Sequence, residues 1–191
     1  VTFCLADSVP GKMIRRHRAL AEAWAREKGF DVSAPTWRRR IAAHPTAHRE
    51  YLGKFRGEFD RCLDEGYGSC ELAVPSNAQI VVDSLRKFEG NRSRLGPFVV
   101  MPNHVHALVG ISDPFGAEEL GKSWRSFSTR LINRRMRRRG RLWQREGFDH
   151  LVRSAESFER FRRYIELNPV RAGLRPGTFR LGNGNKDGGV D

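Results

Sequence analysis

The sequence predicts an α+β protein in which helices cover one face of an antiparallel sheet. Two apolar runs, Val1–Leu5 and Phe98–Ile111, have the length and composition of β-strands. The segments between and after these runs repeat their apolar residues at helical spacing. Strands that alternate irregularly with helices are typical of this class. A length of 191 residues suits one domain with an insertion.

The first third of the chain is predicted to be a strand followed by a helical insertion. We expect Val1–Leu5 to be the remainder of a first strand, because the sequence does not begin with methionine. Residues 12–28 contain neither proline nor glycine and are followed by Gly29, a pattern typical of a helix with a glycine stop. Residues 46–65 carry an apolar stripe that predicts a second helix. The predicted insertion therefore spans residues 10–66.

The middle of the chain is predicted to return to the sheet. Ser76 is a good N-cap for a helix through Phe88. The run Phe98–Ile111 is predicted to form a central strand, which Pro102 should bend or mark as an edge. A further helix is expected from residue 118 to about residue 138, because its apolar residues form one stripe.

A last helix is predicted near the C-terminus. Ser154 is expected to cap it, and its apolar residues continue to Leu167. The helix should loosen at Asn168, since the residue before a proline disfavours the helical conformation.

These elements predict the domain organisation. Residues 1–9 and 67–180 form one domain around the sheet and carry the candidate chemistry described below, so they are the predicted catalytic domain. Residues 10–66 are the insertion. Residues 181–191 consist mostly of glycine and polar residues and are predicted to be a disordered tail.

Two histidines, His104 and His106, lie two residues apart inside an apolar run. On a strand this spacing points both rings to one face. Buried imidazoles need partners, and a shared divalent ion would satisfy both rings. The alternative is a pair of ordinary part-buried histidines. A zinc hydrolase would need a third histidine or a carboxylate nearby, and only His150 remains downstream.

Tyr164 and Asn168 lie four residues apart, which places them on one face of a helix. Phe158, Phe161 and Ile165 already form the apolar stripe of this helix, so the pair is displaced from its centre. A free phenol has a pKa of about 10 and needs a metal-polarised phosphate or a base to act as a nucleophile. The alternatives are a tyrosine at the edge of the core and an asparagine that merely ends the helix.

The net charge of +13 argues for a polyanionic partner. Ten basic residues and no acidic residue lie between residues 122 and 145, and aromatic residues are interspersed among them. Basic side chains with aromatic stacking surfaces suit single-stranded nucleic acid, whereas the alternative is a solvated face. The predicted nucleic-acid-binding residues are Lys122, Arg125, Arg130, Arg134, Arg135, Arg137, Arg138, Arg139, Arg141 and Trp143.

The cysteine pattern and the hydropathy bear on where the protein works. The three cysteines, Cys4, Cys62 and Cys70, are odd in number and widely spaced, so a disulfide framework or a zinc ribbon is not expected. A reducing cytoplasm suits such a chain. No apolar run reaches the ~20 residues that span a bilayer, and no signal peptide is visible, so no membrane partner is expected.

At these residues the chain resembles the REP-associated tyrosine transposases, which are single-tyrosine HUH endonucleases. The resemblance runs through Met101–His106, Leu142–Gln144, Phe148–Arg153 and the segment from Tyr164 to Gly173, in matching order and spacing. It covers the chain from about residue 70 to about residue 175.

The resemblance implies a ferredoxin-like antiparallel sheet with the two histidines on a central strand. By position, His104 and His106 would bind Mg²⁺ or Mn²⁺. Asn168 would be the third protein ligand, where related insertion-sequence enzymes have glutamine, and Tyr164 would be the nucleophile. The implied partner is single-stranded DNA with palindromic hairpins, and the implied state is a monomer or a homodimer. The insertion at residues 10–66 is longer than in compact members of the family.

The sequence thus predicts a metal-dependent endonuclease and strand transferase for single-stranded DNA, that is, a transposase. It would form a 5′-phosphotyrosyl intermediate at sites next to DNA hairpins. The alternative is a non-catalytic basic module that binds hairpins and whose histidine pair is structural. A covalent protein–DNA adduct separates the two.

Overall fold

The computed structural model describes residues 1–144 and 151–184, which fall into two compact units. Unit 1 joins Val1–Ser8 to the chain from Gly68 onward, and unit 2 is Val9–Tyr67. These boundaries lie one residue from those predicted for the helical insertion. That unit 1 is a catalytic domain stays a prediction. None of the helices in the described ranges is long and apolar enough to cross a membrane.

The strands and helices alternate irregularly along the chain. In order they are β1 (Thr2–Cys4), α1 (Gly11–Glu27), α2 (Trp37–Ala43), α3 (Pro45–Asp64), a 3₁₀ turn (Glu71–Ala73), α4 (Pro75–Arg86), β2 (Ser93–Val100), β3 (His104–Ile111), α5 (Ala117–Arg135), α6 (Ala155–Arg171) and β4 (Arg180–Gly182).

The four strands form one antiparallel sheet in the order β1-β3-β2-β4. The predicted α+β class with an antiparallel sheet is confirmed. In the register of β1 and β3, Thr2 lies opposite His106 and Cys4 lies opposite His104. His106 also lies opposite Val99 of β2, so the central position of β3 gives this histidine a neighbour on both adjoining strands.

Helices cover both faces of the sheet, and the prediction of helices on one face is wrong in this respect. Helices α4 and α5 pack against the face that carries Val105 and Ala107. Helix α6 packs through Ile165 against Met101 and Leu108 on the other face. The physical reason is that the second face also carries apolar side chains, which α6 removes from water.

The run Phe98–Ile111 is a hairpin of two strands, so the prediction of one central strand is wrong. Strand β2 ends at Val100 and β3 begins at His104, and the backbone N–H of Met101 donates to the carbonyl of His104 across the turn at 2.8 Å. Pro102 lies in this turn, where its missing N–H removes no ladder hydrogen bond.

Helix α6 extends further than predicted. Ser154 caps it as predicted, because its hydroxyl accepts from the N–H of Ser157 at 3.1 Å. Pro169 lies inside the helix, which continues to Arg171 because the carbonyl of Asn168 still accepts from the next turn. In α4, by contrast, Pro75 occupies the first turn and Val74 the N-cap, so the predicted cap at Ser76 is wrong.

The predicted disordered tail begins too early. Strand β4 includes Leu181 and Gly182, which pair with Val99 and Phe98 of β2. A Cβ atom at Gly182 would lie 2.5 Å from the ring of Phe98, so a glycine allows this close pairing. Residues 185–191 lie outside the described ranges.

Unit 2 is a small helical unit with an aromatic core. Helices α1 and α3 match the predicted helices to within one residue, and α2 was not predicted. Trp24, Trp37 and Phe55 form the buried centre together with Ile41. The rings of Trp24 and Phe55 meet edge to face with their centroids 5.9 Å apart.

Gly68 is the first residue of the chain after it re-enters unit 1. Its φ is +91°, and an added Cβ atom would lie 2.6 Å from the backbone oxygen of Asp7. We expect Gly68→Ala to lower the thermal unfolding temperature, because a left-handed conformation costs an L-residue about 1–2 kcal/mol and the clash adds to that. Gly66→Ala is the matched control, since Gly66 has a φ of +71° and nothing within 4 Å of the added atom. If calorimetry shows the same drop in unfolding temperature for both variants, the close approach of Gly68 to Asp7 is contradicted.

Candidate active site

The two imidazoles of β3 lie side by side on the face of the sheet that α6 covers. His104 is completely buried and His106 nearly so. Their ring centroids are 4.7 Å apart and the ring planes are close to perpendicular. The period of two along the strand therefore brings both rings to one face, as the sequence predicted.

His104 is held in one tautomer by its neighbour in the chain. Its Nδ1 lies 2.7 Å from Oδ1 of Asn103, and because an amide oxygen only accepts, Nδ1 carries the hydrogen. The lone pair is then on Nε2, which is buried and has no hydrogen-bond partner in the described structure. Burial lowers the pKa of His104 to about 3, partly opposed by the amide of Asn168, so the ring is neutral at pH 7.

His106 contacts both the N-terminal strand and helix α6. Its Nδ1 lies 2.8 Å from the hydroxyl oxygen of Thr2, which the register of β1 places directly opposite. Its Nε2 lies 3.5 Å from the phenolic oxygen of Tyr164, a long contact, and the two ring centroids are 5.1 Å apart. The predicted nucleophile therefore lies against the predicted metal ligand.

Asn168 lies one helical turn beyond Tyr164 and is buried. Its amide is close enough to His104 to raise the pKa of that ring, yet no atoms of the two side chains meet the geometry of a hydrogen bond. Both polar atoms of the Asn168 amide are without partners in the described structure. Buried polar groups without partners are costly and rare, and these atoms are of the kind that a bound cation could satisfy.

The donor set fits a divalent cation. Two imidazole nitrogens and one amide oxygen would leave coordination positions open for phosphate oxygens and water, as a catalytic metal requires. A cation bound by Nε2 of His104, by His106 and by Oδ1 of Asn168 would give the buried cluster its missing partner. The identity of the ion, Mg²⁺ or Mn²⁺, stays a prediction. Within the described ranges no group of three His, Cys, Asp or Glu residues could hold a metal, and His150 lies outside those ranges.

The predicted DNA-binding residues of α5 lie on the other side of the sheet from this cluster. Leu120, Trp124 and Ile132 anchor α5 to the face opposite the imidazoles. Helix α5 therefore packs on the face of the sheet opposite Tyr164. Most of these side chains are exposed: Lys122, Arg130, Arg134, Arg135, Arg137, Arg139 and Arg141, with Arg125 partly buried.

The prediction that Trp143 contacts nucleic acid is wrong. Its side chain is 3% exposed, its ring packs edge to face on Phe3 at 4.8 Å, and its indole N–H donates to Ser128 at 2.9 Å. The segment around it pairs with the edge of β1, which turns the indole into the core. Arg138 forms an ion pair with the buried carboxylate of Glu71, so its charge is already balanced.

Sequence reasoning missed two residues that orient the imidazoles. Asn103 stands directly before His104, and this adjacency was a visible signal. Thr2 had no signal, because its contact with His106 depends on the register of two strands about a hundred residues apart. Partners of this kind fix the ring orientation of metal-binding histidines.

Metal binding tests this arrangement directly. We expect His104→Ala to abolish Mn²⁺ binding, measured by titration calorimetry, because it removes a ligand. Thr2→Val should weaken binding by about 10–100-fold, since it removes the partner that orients His106. Thr2→Ser keeps the hydroxyl and is the matched control, for which near-normal affinity is expected. Equal affinity of the wild type and Thr2→Val would show that the Thr2 contact does not orient a ligand.

A separate prediction concerns DNA binding by the exposed arginines of α5 and the segment after it. Replacing the exposed Arg134, Arg135, Arg137 and Arg139 by Gln should weaken binding to all single-stranded DNA. Each lost phosphate contact should reduce the slope of log K against log salt by about 0.7. Arg138 stays unchanged in this variant, because its loss would leave Glu71 buried without its partner. An unchanged slope in anisotropy titrations would mean that these residues form a solvated face.

Three comparisons relate the chain to known proteins. The chain matches no protein with a curated description. Among solved structures it is similar to one described as "Structure of the REP associates tyrosine transposase bound to a REP hairpin", with 19% identity and a TM-score of 0.47. That similarity covers 55% of this chain and 61% of the other, so this chain spans less than two thirds of that protein. Residues 85–168 match the family "Transposase IS200 like", and the predicted resemblance to transposases is confirmed.

Proposed function

We propose that this protein is a metal-dependent endonuclease and strand transferase for single-stranded DNA. It cuts next to palindromic hairpins and forms a 5′-phosphotyrosyl intermediate on Tyr164. The family match supports a role in DNA processing. The metal, the polarity and the hairpin substrate are parts of the proposal.

The contact between Tyr164 and the histidine pair carries this proposal. The phenolic oxygen lies 3.5 Å from Nε2 of His106, on the same helical face as the buried amide of Asn168. Beside it, Nε2 of His104 presents a lone pair with no partner in the described structure. A phenol beside nitrogen and oxygen donors that could hold a divalent cation supports a role for Tyr164 in nucleophilic attack on a phosphate.

The chemistry that follows is a transfer of the phosphate between two oxygen atoms. A bound divalent cation would polarise the phosphate that is cut. The Tyr164 oxygen attacks phosphorus and its proton passes to water, while the bond to the 3′ oxygen breaks and that oxygen takes up a proton. The products are a free 3′-OH and a 5′-phosphotyrosyl link. A second 3′-OH can then attack this link and rejoin DNA, which releases the tyrosine.

The two faces of the sheet suggest how DNA binds. The Tyr164 site lies on one face, whereas the exposed basic residues of α5 lie on the other. In our proposal those residues bind the hairpin away from the cut. At the cut itself we propose single-stranded DNA, because its exposed bases and bendable backbone suit the site better than a rigid duplex.

Tyr51 supplies no second nucleophile here, because its ring packs against Trp24 and Phe55 in unit 2.

A covalent adduct is the decisive test of this function. The protein is incubated with Mn²⁺ and a panel of single-stranded palindromic hairpins with randomised flanks, and denaturing gels report the adduct. We expect an adduct with wild type and none with Tyr164→Phe, which removes one hydroxyl and little packing. Tyr51→Phe makes the same chemical change elsewhere and should leave the adduct yield unchanged.

Labelling each DNA end separates the possible outcomes of that experiment. The adduct should carry the 5′ phosphate of one fragment, and the other fragment should end in a free 3′-OH. A 3′-linked adduct or efficient cutting of linear duplex would show the polarity or the substrate to be wrong. Hairpin binding without any adduct would favour the non-catalytic binding module, and full activity in EDTA would end the metal hypothesis.

A further inference from the structure

Helix α6 carries a charged residue, Arg171, close to the candidate nucleophile. Tyr164 and Asn168 are four residues apart, and Arg171 follows three residues later on the same stripe. Seven residues are close to two helical turns, so Arg171 lies about 20° around the helix axis from Tyr164. Arg163, by contrast, is one residue from Tyr164 and therefore lies about 100° away.

The guanidinium of Arg171 points back toward Tyr164. Its Cζ atom lies 5.9 Å from the centroid of the Tyr164 ring, although the two Cα atoms are two turns apart along α6. Side chains on a helix lean toward its N-terminus, which explains how the long arginine reaches the phenol. The residue is exposed, so the group can move onto a ligand without disturbing the core.

Within the described part of the chain, Arg171 forms no ion pair with a carboxylate. The ion pairs of α6 are formed by another arginine, Arg162. Arg162 binds Glu159 at 2.8 Å and Glu166 at 2.7 Å on a different face of the helix. Arg162 is thus neutralised by its own helix, whereas Arg171, which lies over the Tyr164 ring, keeps its charge for an external anion. Helix α5, with its basic side chains, packs on the other face of the sheet.

We propose that Arg171 is a catalytic residue that contacts the substrate by donating hydrogen bonds to the non-bridging oxygens of the phosphate that Tyr164 attacks. This inference rests on the proposed function and names the protein group that holds the phosphate. A guanidinium presents paired N–H groups that match two phosphate oxygens, and it retains its charge at any physiological pH. In this role Arg171 fixes the phosphorus atom beside the phenolic oxygen and stabilises the charge that grows on the phosphate during attack.

A double-mutant cycle between the arginine and the phosphate tests this assignment. The wild-type adduct first identifies the linkage that is cut in a hairpin oligonucleotide. Two versions of this oligonucleotide are then compared, one natural and one with an uncharged methylphosphonate at that linkage. Affinity is measured by fluorescence anisotropy in the Tyr164→Phe protein, so that no cleavage occurs. The variants added to this background are Arg171→Gln, Arg171→Lys and the control Arg163→Gln.

We expect Arg171→Gln to weaken binding of the natural oligonucleotide by about 10-fold or more, as the loss of a charged hydrogen bond predicts. On the methylphosphonate oligonucleotide the same substitution should change affinity by less than about 2-fold, because its partner charge is already absent. Arg171→Lys should keep part of the affinity, and Arg163→Gln should affect both oligonucleotides equally.

The outcomes distinguish this inference from the proposed function. Equal losses on both oligonucleotides for Arg171→Gln, with an intact wild-type adduct, would overturn the role of Arg171 and leave the function standing. They would mean that Arg171 only packs on the tyrosine ring or attracts DNA generally. Absence of an adduct with the wild type would overturn both.

Discussion

The burial of two imidazoles on the central strand is the constraint on which the rest of the site depends. A neutral imidazole has one donor and one acceptor, and both must be satisfied away from water. Asn103 and Thr2 each take one nitrogen, which leaves the opposite nitrogen of each ring directed at α6. Helix α6 covers this face with Ile165 but presents Tyr164 and a buried asparagine to the rings. The face is therefore apolar enough to pack and polar enough to hold an ion.

The sequence predicted the parts of this site that local periodicity controls. Spacing of two on a strand and four on a helix was enough to place His104 with His106 and Tyr164 with Asn168. That the two pairs meet came only from the resemblance to a family, because no local rule connects a strand with a helix about 60 residues later. The contact of Thr2 was beyond prediction, since a strand's register is set by its tertiary partners.

The errors have physical causes of the same kind. The turn between β2 and β3 was missed because Pro102 was interpreted as a bend or an edge within one strand, whereas Pro102 and Asn103 separate two apolar strands. Trp143 was assigned to DNA because basic residues surround it in the sequence, but its indole fills the core beside Phe3. A tryptophan in a basic segment is thus ambiguous until the position of the nearest strand edge is known.

The pairing of β1 with β3 also determines the order in which the protein can assemble. Thr2 and His106 are separated by more than a hundred residues, with all of unit 2 between them. During synthesis, β1 emerges long before the strand that it must pair with, and contacts between distant segments form slowly. Until β3 has been made, Phe3 and the edge of β1 are exposed to other chains. The sheet that carries the imidazoles is therefore complete only after both ends of this long separation have been synthesised.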